Sequence, residues 1–200
     1  MDTKYNRPEV TDARSLNRLA RRRKWDVWCD ADCRFVVDKL NDLNALWHSK
    51  AGPSGIPLRR EMTARVLQPY LSMIVLHERI SEPDGTRRYR VRLTGEDHTF
   101  VAGSVSNKFY EEFLPAESIP RWNALTDAVL GQGAPVRNVV RADEVGRPFL
   151  VGEHFGAPLL ADDGTASIVL SASFFDSNWS FEKLVAGKEK YHPQLLEPVV

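Results

Sequence analysis

Three Asp-bearing tetrapeptides closed by glycine punctuate the chain: EPDG ending at Gly85, DEVG ending at Gly146 and ADDG ending at Gly164. Each lies between two runs rich in β-branched and aromatic residues. Asp and Gly favour tight reversals, so each tetrapeptide predicts a hairpin between antiparallel neighbours.

The runs so joined are YLSMIVLHERI and RRYRVRLTG, then PVRNVVRA, RPFLVGEHFGAPLL and TASIVLSASFF. In the second, Tyr89, Val91 and Leu93 alternate with Arg88, Arg90 and Arg92, which predicts a half-buried strand with a cationic outer face. Between Glu96 and Gly133 the alternation lapses. Ser118 and Pro120 open a helix there, Trp122, Leu125 and Val129 give it an apolar stripe, and Gly131 is a fitting end. The order is two strands, helices, then three strands.

Upstream, a helix is predicted from Ser15 to Trp28. A second is expected to be capped by Asp30 or Asp32, with Val36, Leu40, Leu43 and Trp47 on one stripe. The Pro- and Gly-rich KAGPSGIP then breaks it. These boundaries divide the chain into an N-terminal basic, helical extension (1–56), a core domain (57–176) and a tail with one short helix (177–200).

With 42% apolar and 27% charged residues, and 27 Lys and Arg against 27 Asp and Glu, the chain has an ordinary globular composition. The balance is uneven locally, since residues 1–24 hold eight Lys or Arg against three acids. No uncharged apolar run approaches the roughly 18–20 residues a membrane span needs, and no apolar segment follows the N-terminal charges, so a soluble, cytoplasmic protein is expected. Cys29 and Cys33 are too few for a disulfide framework and poorly spaced for zinc, and they are expected to be reduced thiols.

The segments ALWHSKAGPSGIPLRREMTARVLQPYLSMIVLHERI, RYRVRLTGEDHTFVAGSVSNKFYEEFLP and GEHFGAPLLADDGTASIVLSASFF occur in the order found in PAS domains. They resemble most closely the bacterial PAS-like family once catalogued as a domain of unknown function, PAS_5. The resemblance departs at Asn107, where a glycine is expected, and at Thr63-Ala64, where Asp-Pro is expected. Asn tolerates positive φ better than other non-glycine residues, so the first departure is mild.

The resemblance implies an α+β fold: a PAS-like five-stranded antiparallel sheet with helices inserted between strands 2 and 3, preceded by the N-terminal helical extension. It implies a sensory or regulatory module, not an enzyme, whose helices enclose a pocket against one sheet face. Pocket candidates from the strands are Tyr89, Val91, Leu93, Phe149, Val151 and Phe155. Those from the inserted segment are His98, Phe100, Phe109, Tyr110, Phe113 and Trp122. The same side chains would equally fill an ordinary core.

The occupant is open: haem, flavin or another small organic ligand. A photoactive flavin would need a cysteine after the second strand, where there is none, and haem would rest on His98 alone. The expected partners are a small-molecule ligand, a signalling protein or a second copy in a homodimer, and no sequence-specific nucleic acid. With no output domain read after the fifth strand, a signal is expected to leave through such contacts.

Two other readings stand beside this one. Glu96, Asp97, His98, Glu153 and His154 are suitable types for a metal or acid/base centre, although consecutive strand residues such as Glu153 and His154 face opposite ways. Alternatively, TGED closes a strand and caps the next helix. The basic N-terminal helix, finally, suits an adaptor engaging an acidic partner.

Overall fold

A computed structural model describes residues 10–141 and 150–189, without the side chains of 100–102. Its helices are α1 (Ala13–Arg23), α2 (Asp38–Lys50), α3 (Glu96–Ala102), α4 (Ile119–Gln132) and α5 (Phe181–Val185). The strands are β1 (Val27–Asp30), β2 (Ile74–Ser81), β3 (Arg87–Thr94), β4 (Val136–Arg141), β5 (Val151–Leu160) and β6 (Ala166–Asp176). They form one antiparallel sheet ordered β1-β4-β5-β6-β2-β3. The five expected strands are β2 to β6, with α3 and α4 inserted between the second and third. The fold is α+β and PAS-like. No helix among the described residues is long and apolar enough to cross a membrane.

A sixth strand joins them, and its first two residues, Val27 and Trp28, fall inside the stretch expected to be helical. The Asp12 carboxylate caps α1 by accepting from Ser15 N at 2.6 Å, and the helix ends at Lys24 in the left-handed conformation (φ 57°). Val27 to Asp30 then pair with the otherwise open edge of β4, with Val27 opposite Val140. Asn17 holds α1 to this strand, donating to Cys29 O (2.7 Å) and accepting from Cys29 N (2.8 Å).

The second helix begins later than its sequence signals suggest. Asp30 instead accepts from Asp32 N at 2.9 Å in the turn after β1. The amides leading into α2, Val36 N and Val37 N, donate to the Glu153 carboxylate at 3.0 and 2.9 Å. A carboxylate remote in sequence thus performs the task expected of a local cap. Within α2, Leu40, Leu43 and Trp47 are buried, and Trp47 Nε1 donates to Pro158 O at 2.9 Å.

The sheet is covered on both faces. On one lie α2, α5 and the segment 59–73, burying Val139, Val151, Phe155, Ala157, Leu159, Leu170 and Ala172. On the other lie α1, α3 and α4, burying Val27, Cys29, Val136, Val140, Val169, Val75, Tyr89 and Val91. Residues 142–149, which include the DEVG turn, fall outside the described residues.

Two turn details follow from local chemistry. Helix α4 runs past Gly131 and closes at Gly133 (φ 67°), while Asn107 takes φ 64° as its residue type allows. At the exit from β3, Gly95 donates to Ile74 O at 2.7 Å, and a Cβ there would lie 2.3 Å from the carbonyl oxygens of Leu71 and Ser72. Only glycine allows the backbone this close. Glu96 and Asp97 occupy the first exposed turn of α3, yet no side chain caps the helix; Asp97 accepts from Ser72 Oγ at 2.6 Å.

Candidate functional site

A polar row crosses the sheet face that α1, α3 and α4 cover. Cys29 on β1 pairs with Asn138 on β4, Asn138 with His154 on β5, and His154 with Ser173 on β6. Antiparallel pairing places their side chains side by side on one face. His154 Nδ1 lies 2.7 Å from Ser173 Oγ. A Cβ on Gly152 would come within 2.5 Å of His154 Nε2 and 2.8 Å of the Phe175 ring, so the glycine makes room for the imidazole. Helix α3 adds His98, whose ring meets Phe175 edge-on at 6.5 Å, while His154 meets the same ring at 5.2 Å.

A third histidine, His77 on β2, completes the group. Its Nδ1 lies 2.7 Å from Tyr110 Oη and its Nε2 3.0 Å from Ser171 Oγ. Tyr110 Oη is also 3.1 Å from Thr126 Oγ1 on α4. The chain Ser171–His77–Tyr110–Thr126 can run in two senses. If Ser171 donates to Val75 O, His77 carries its proton on Nε2 and Tyr110 donates to Nδ1. If Thr126 donates to Trp122 O, every hydrogen bond in the chain reverses. Tyr110 is further fixed by stacking on Tyr89 at 5.6 Å.

Electrostatically the site is neutral. Burial depresses His77 to about 3, His98 to about 4 and His154 to about 3, with mutual repulsion among the imidazoles adding to the shifts of His77 and His154. Burial also raises Tyr110 and Tyr89 above the usual phenol range. At pH 7 all three histidines are uncharged.

Several buried polar atoms at this face have no hydrogen-bond partner among the described residues: His154 Nε2, His98 Nδ1, Asn138 Oδ1 and, on α4, Asn123 Oδ1. Leaving such an atom buried and unpaired costs about 1–3 kcal/mol. Three of them, His154 Nε2, His98 Nδ1 and Asn138 Oδ1, belong to residues of the polar row and of the contacts around Phe175.

The expected pocket residues divide among several places. Tyr89, Val91 and Tyr110 are buried on the face of the polar row, with Phe113 and Trp122 packed against them and His98 over Phe175. Val151 and Phe155 are not there: alternation along β5 turns them to the opposite face, where Phe155 meets Phe35 at 6.1 Å. Leu93 is also displaced. A register shift pairs Leu76 with Leu93 but His77 with Val91, leaving Arg92 as the extra residue, so Leu93 joins the other face and is 39% exposed. Phe109 is half-buried beneath Arg88, whose guanidinium carbon stands 3.7 Å above its ring. The Phe100 side chain and Phe149 lie outside the described residues.

Among the described residues no carboxylate accompanies the imidazoles. Glu153 points through the other face, accepting from Arg137 Nε and from Val36 N and Val37 N, while Arg137 Nη2 donates to Leu184 O at 2.8 Å. Glu96 and Asp97 are exposed at the start of α3. The expected pairing of His98 or His154 with Glu96 or Glu153 is therefore not assembled. No group of three His, Cys, Asp or Glu among the described residues is placed to hold a metal ion.

The described residues do not fit a photoactive flavin, which needs a reactive thiolate beside its ring. Cys29 is buried and free in β1 and Cys33 is free after it, and burial drives both thiols upward, Cys33 to about 12. Neither supplies a thiolate beside the pocket.

No family model matches the chain, and no curated protein matches it. Among solved structures it is similar to an RNA-binding light-oxygen-voltage receptor, with a TM-score of 0.37 and 9% identity over 66% of this chain and 37% of that one. It is also similar to the LOV domain of the blue-light photoreceptor Aureochrome1 in its light state, with a TM-score of 0.34 and 14% identity over 62% of this chain and 96% of that one. The chain thus spans little more than a third of the first receptor's length. The fold assignment rests on strand order and the inserted helices rather than on these likenesses.

His77, Asn138, Ser171 and Ser173 were absent from the expected site. Asn138 alone carries a plain sequence signal, a polar residue between the same-face neighbours Val136 and Val140 in β4; His77 alternates with Val75 and Arg79, and Ser171 and Ser173 are each other's same-face neighbours.

Proposed function

We propose that this PAS-like domain is a sensory module that binds a small, uncharged, hydrogen-bonding molecule between the sheet face of the polar row and helices α3 and α4. The carrying observation is the set of unpaired polar atoms around Phe175 and the polar row, His154 Nε2 and His98 Nδ1 foremost. Neutral imidazoles and amide oxygens offer such a ligand both donors and acceptors. They offer no countercharge to an ionic one. With no carboxylate at the imidazoles among the described residues, binding is the reading we favour over acid/base catalysis.

The same strand connects the site to the other face. His154 faces the ligand side, and Glu153 holds the entry to α2 and, through Arg137, the end of α5. A ligand that moves β5 would alter how these terminal elements sit. That change would be read by a partner protein or by a second copy in a homodimer.

Native mass spectrometry of freshly purified protein, followed by thermal-shift screening of neutral metabolites, tests the reading. A bound species, or a stabilising compound whose effect is lost in His154→Leu and in Gly152→Ala, supports it. Protein that carries nothing and melts unchanged across the panel would refute ligand binding.

A further inference from the structure

We propose that the outer face of α1 binds the phosphate backbone of nucleic acid, without base readout. The helix buries Ala13, Leu16, Leu19 and Ala20 and leaves Arg14, Arg18, Arg21 and Arg22 exposed. At 3.6 residues per turn the four arginines share an arc of about 100° opposite the buried residues, along roughly 12 Å of axis. Arg23 and Lys24, also exposed, extend the cationic surface at its end.

Arginines elsewhere are largely matched. Glu78 pairs with Arg90 at 2.6 Å and Arg92 at 2.9 Å, and Asp127 with Arg79 at 3.3 Å and Arg87 at 3.7 Å. The α1 arginines form no ion pair among the described residues. The carboxylate that acts on Arg14 and Arg18 is Asp12, already engaged at the helix cap. Like charges at i, i+4 repel, and a polyanion relieves that repulsion.

Phosphate is the favoured anion for two reasons. Guanidinium groups match phosphate oxygens in a bidentate fork, and the surface is almost entirely arginine. A lipid surface would need an apolar anchor besides charge. The apolar side of α1 is already packed on α4 and β1, and the large exposed hydrophobic among the described residues, Leu93, lies on the far edge strand.

Fluorescence anisotropy of the full chain with a short labelled duplex and a single strand of arbitrary sequence tests this. Four phosphate contacts predict that affinity falls roughly a hundredfold between 50 and 200 mM salt, whatever the sequence. Combining Arg14→Gln, Arg18→Gln, Arg21→Gln and Arg22→Gln should lower affinity tenfold or more and flatten the salt dependence while the melting temperature is kept. Arg65→Gln, at an exposed arginine off this helix, should leave binding unchanged. No binding at 50 mM salt, equal binding by the four-residue variant, or stronger capture by phosphatidylserine vesicles than by either oligonucleotide would each overturn the proposal.

Discussion

Glu153 and His154 are consecutive in β5 and serve opposite faces of the sheet: the carboxylate is fully buried against Arg137 and the α2 entry, and the imidazole is bonded to Ser173 beneath α3. Because the strand's period is two, one residue of register separates the structural ion pair from the candidate ligand site.

The ion pair makes the first prediction. Glu153→Gln keeps the shape but leaves Arg137 charged, 1% exposed and without its carboxylate, a loss expected to cost about 3–5 kcal/mol. Replacing both partners, as Arg137→Met with Glu153→Gln, which keeps an oxygen for the Val36 and Val37 amides, should cost less than the single change. Urea denaturation of the three proteins checks this, and a single variant as stable as wild type would contradict it.

Acid sensitivity is the second. In the unfolded chain a histidine titrates near 6.5, whereas His77, His98 and His154 are held at about 3, 4 and 3 in the fold. Between those values the unfolded state binds protons that the folded state refuses, so stability declines as pH drops below about 6.5 and this contribution is constant above it. The melting temperature should be lower at pH 5 than at pH 7.5, with a smaller drop in His154→Leu. Carboxylates held low by their hydrogen bonds, such as Asp12 and Asp163, add to the decline only in stronger acid. A melting temperature that holds steady or rises on acidification to pH 5 would count against the neutral cluster.

Gly95→Ala should destabilise at the upper end of the roughly 1–3 kcal/mol typical of overpacking, because the clash is with backbone carbonyls that cannot rotate away. Gly52→Ala is the control, since nothing lies within 4 Å of its added methyl. Similar melting temperatures for the two variants would show that the segment 68–73 can give way.

Thiol chemistry supplies a fourth prediction. With both thiols pushed up by burial, a thiol reagent at pH 8 should modify the folded protein slowly, Cys33 before Cys29, and both cysteines at once in denaturant. Rapid modification of Cys29 in the folded state would mean that β1 detaches from β4.

What was legible in the sequence was whatever depends on local period and turn chemistry. The hairpin at Gly85, the turn at Gly164, the α4 stripe and the left-handed Asn107 are of this kind. What was hidden depends on distant neighbours. Nothing near Val27 says that β4 has an open edge for it, and nothing near Val36 says that a carboxylate from β5 will take its amide. The irregularity at Arg92 is likewise invisible in an alternating run, and it moved Leu93 off the expected face. The polar row is hidden for the same reason: Cys29, Asn138, His154 and Ser173 become neighbours only through the pairing of four strands, which no local pattern states.

The pairing of β1 with β4 bears on the order in which the molecule is made. Val27 meets Val140 only after about 110 further residues have been synthesised, and closing so long a loop is slow. Helix α1 therefore leaves the ribosome long before its partners α4 and β4 exist. Until then Leu16 and Leu19 have neither α4 nor β4 to cover them, so the apolar side of this helix is the part of the young chain most open to wrong contacts.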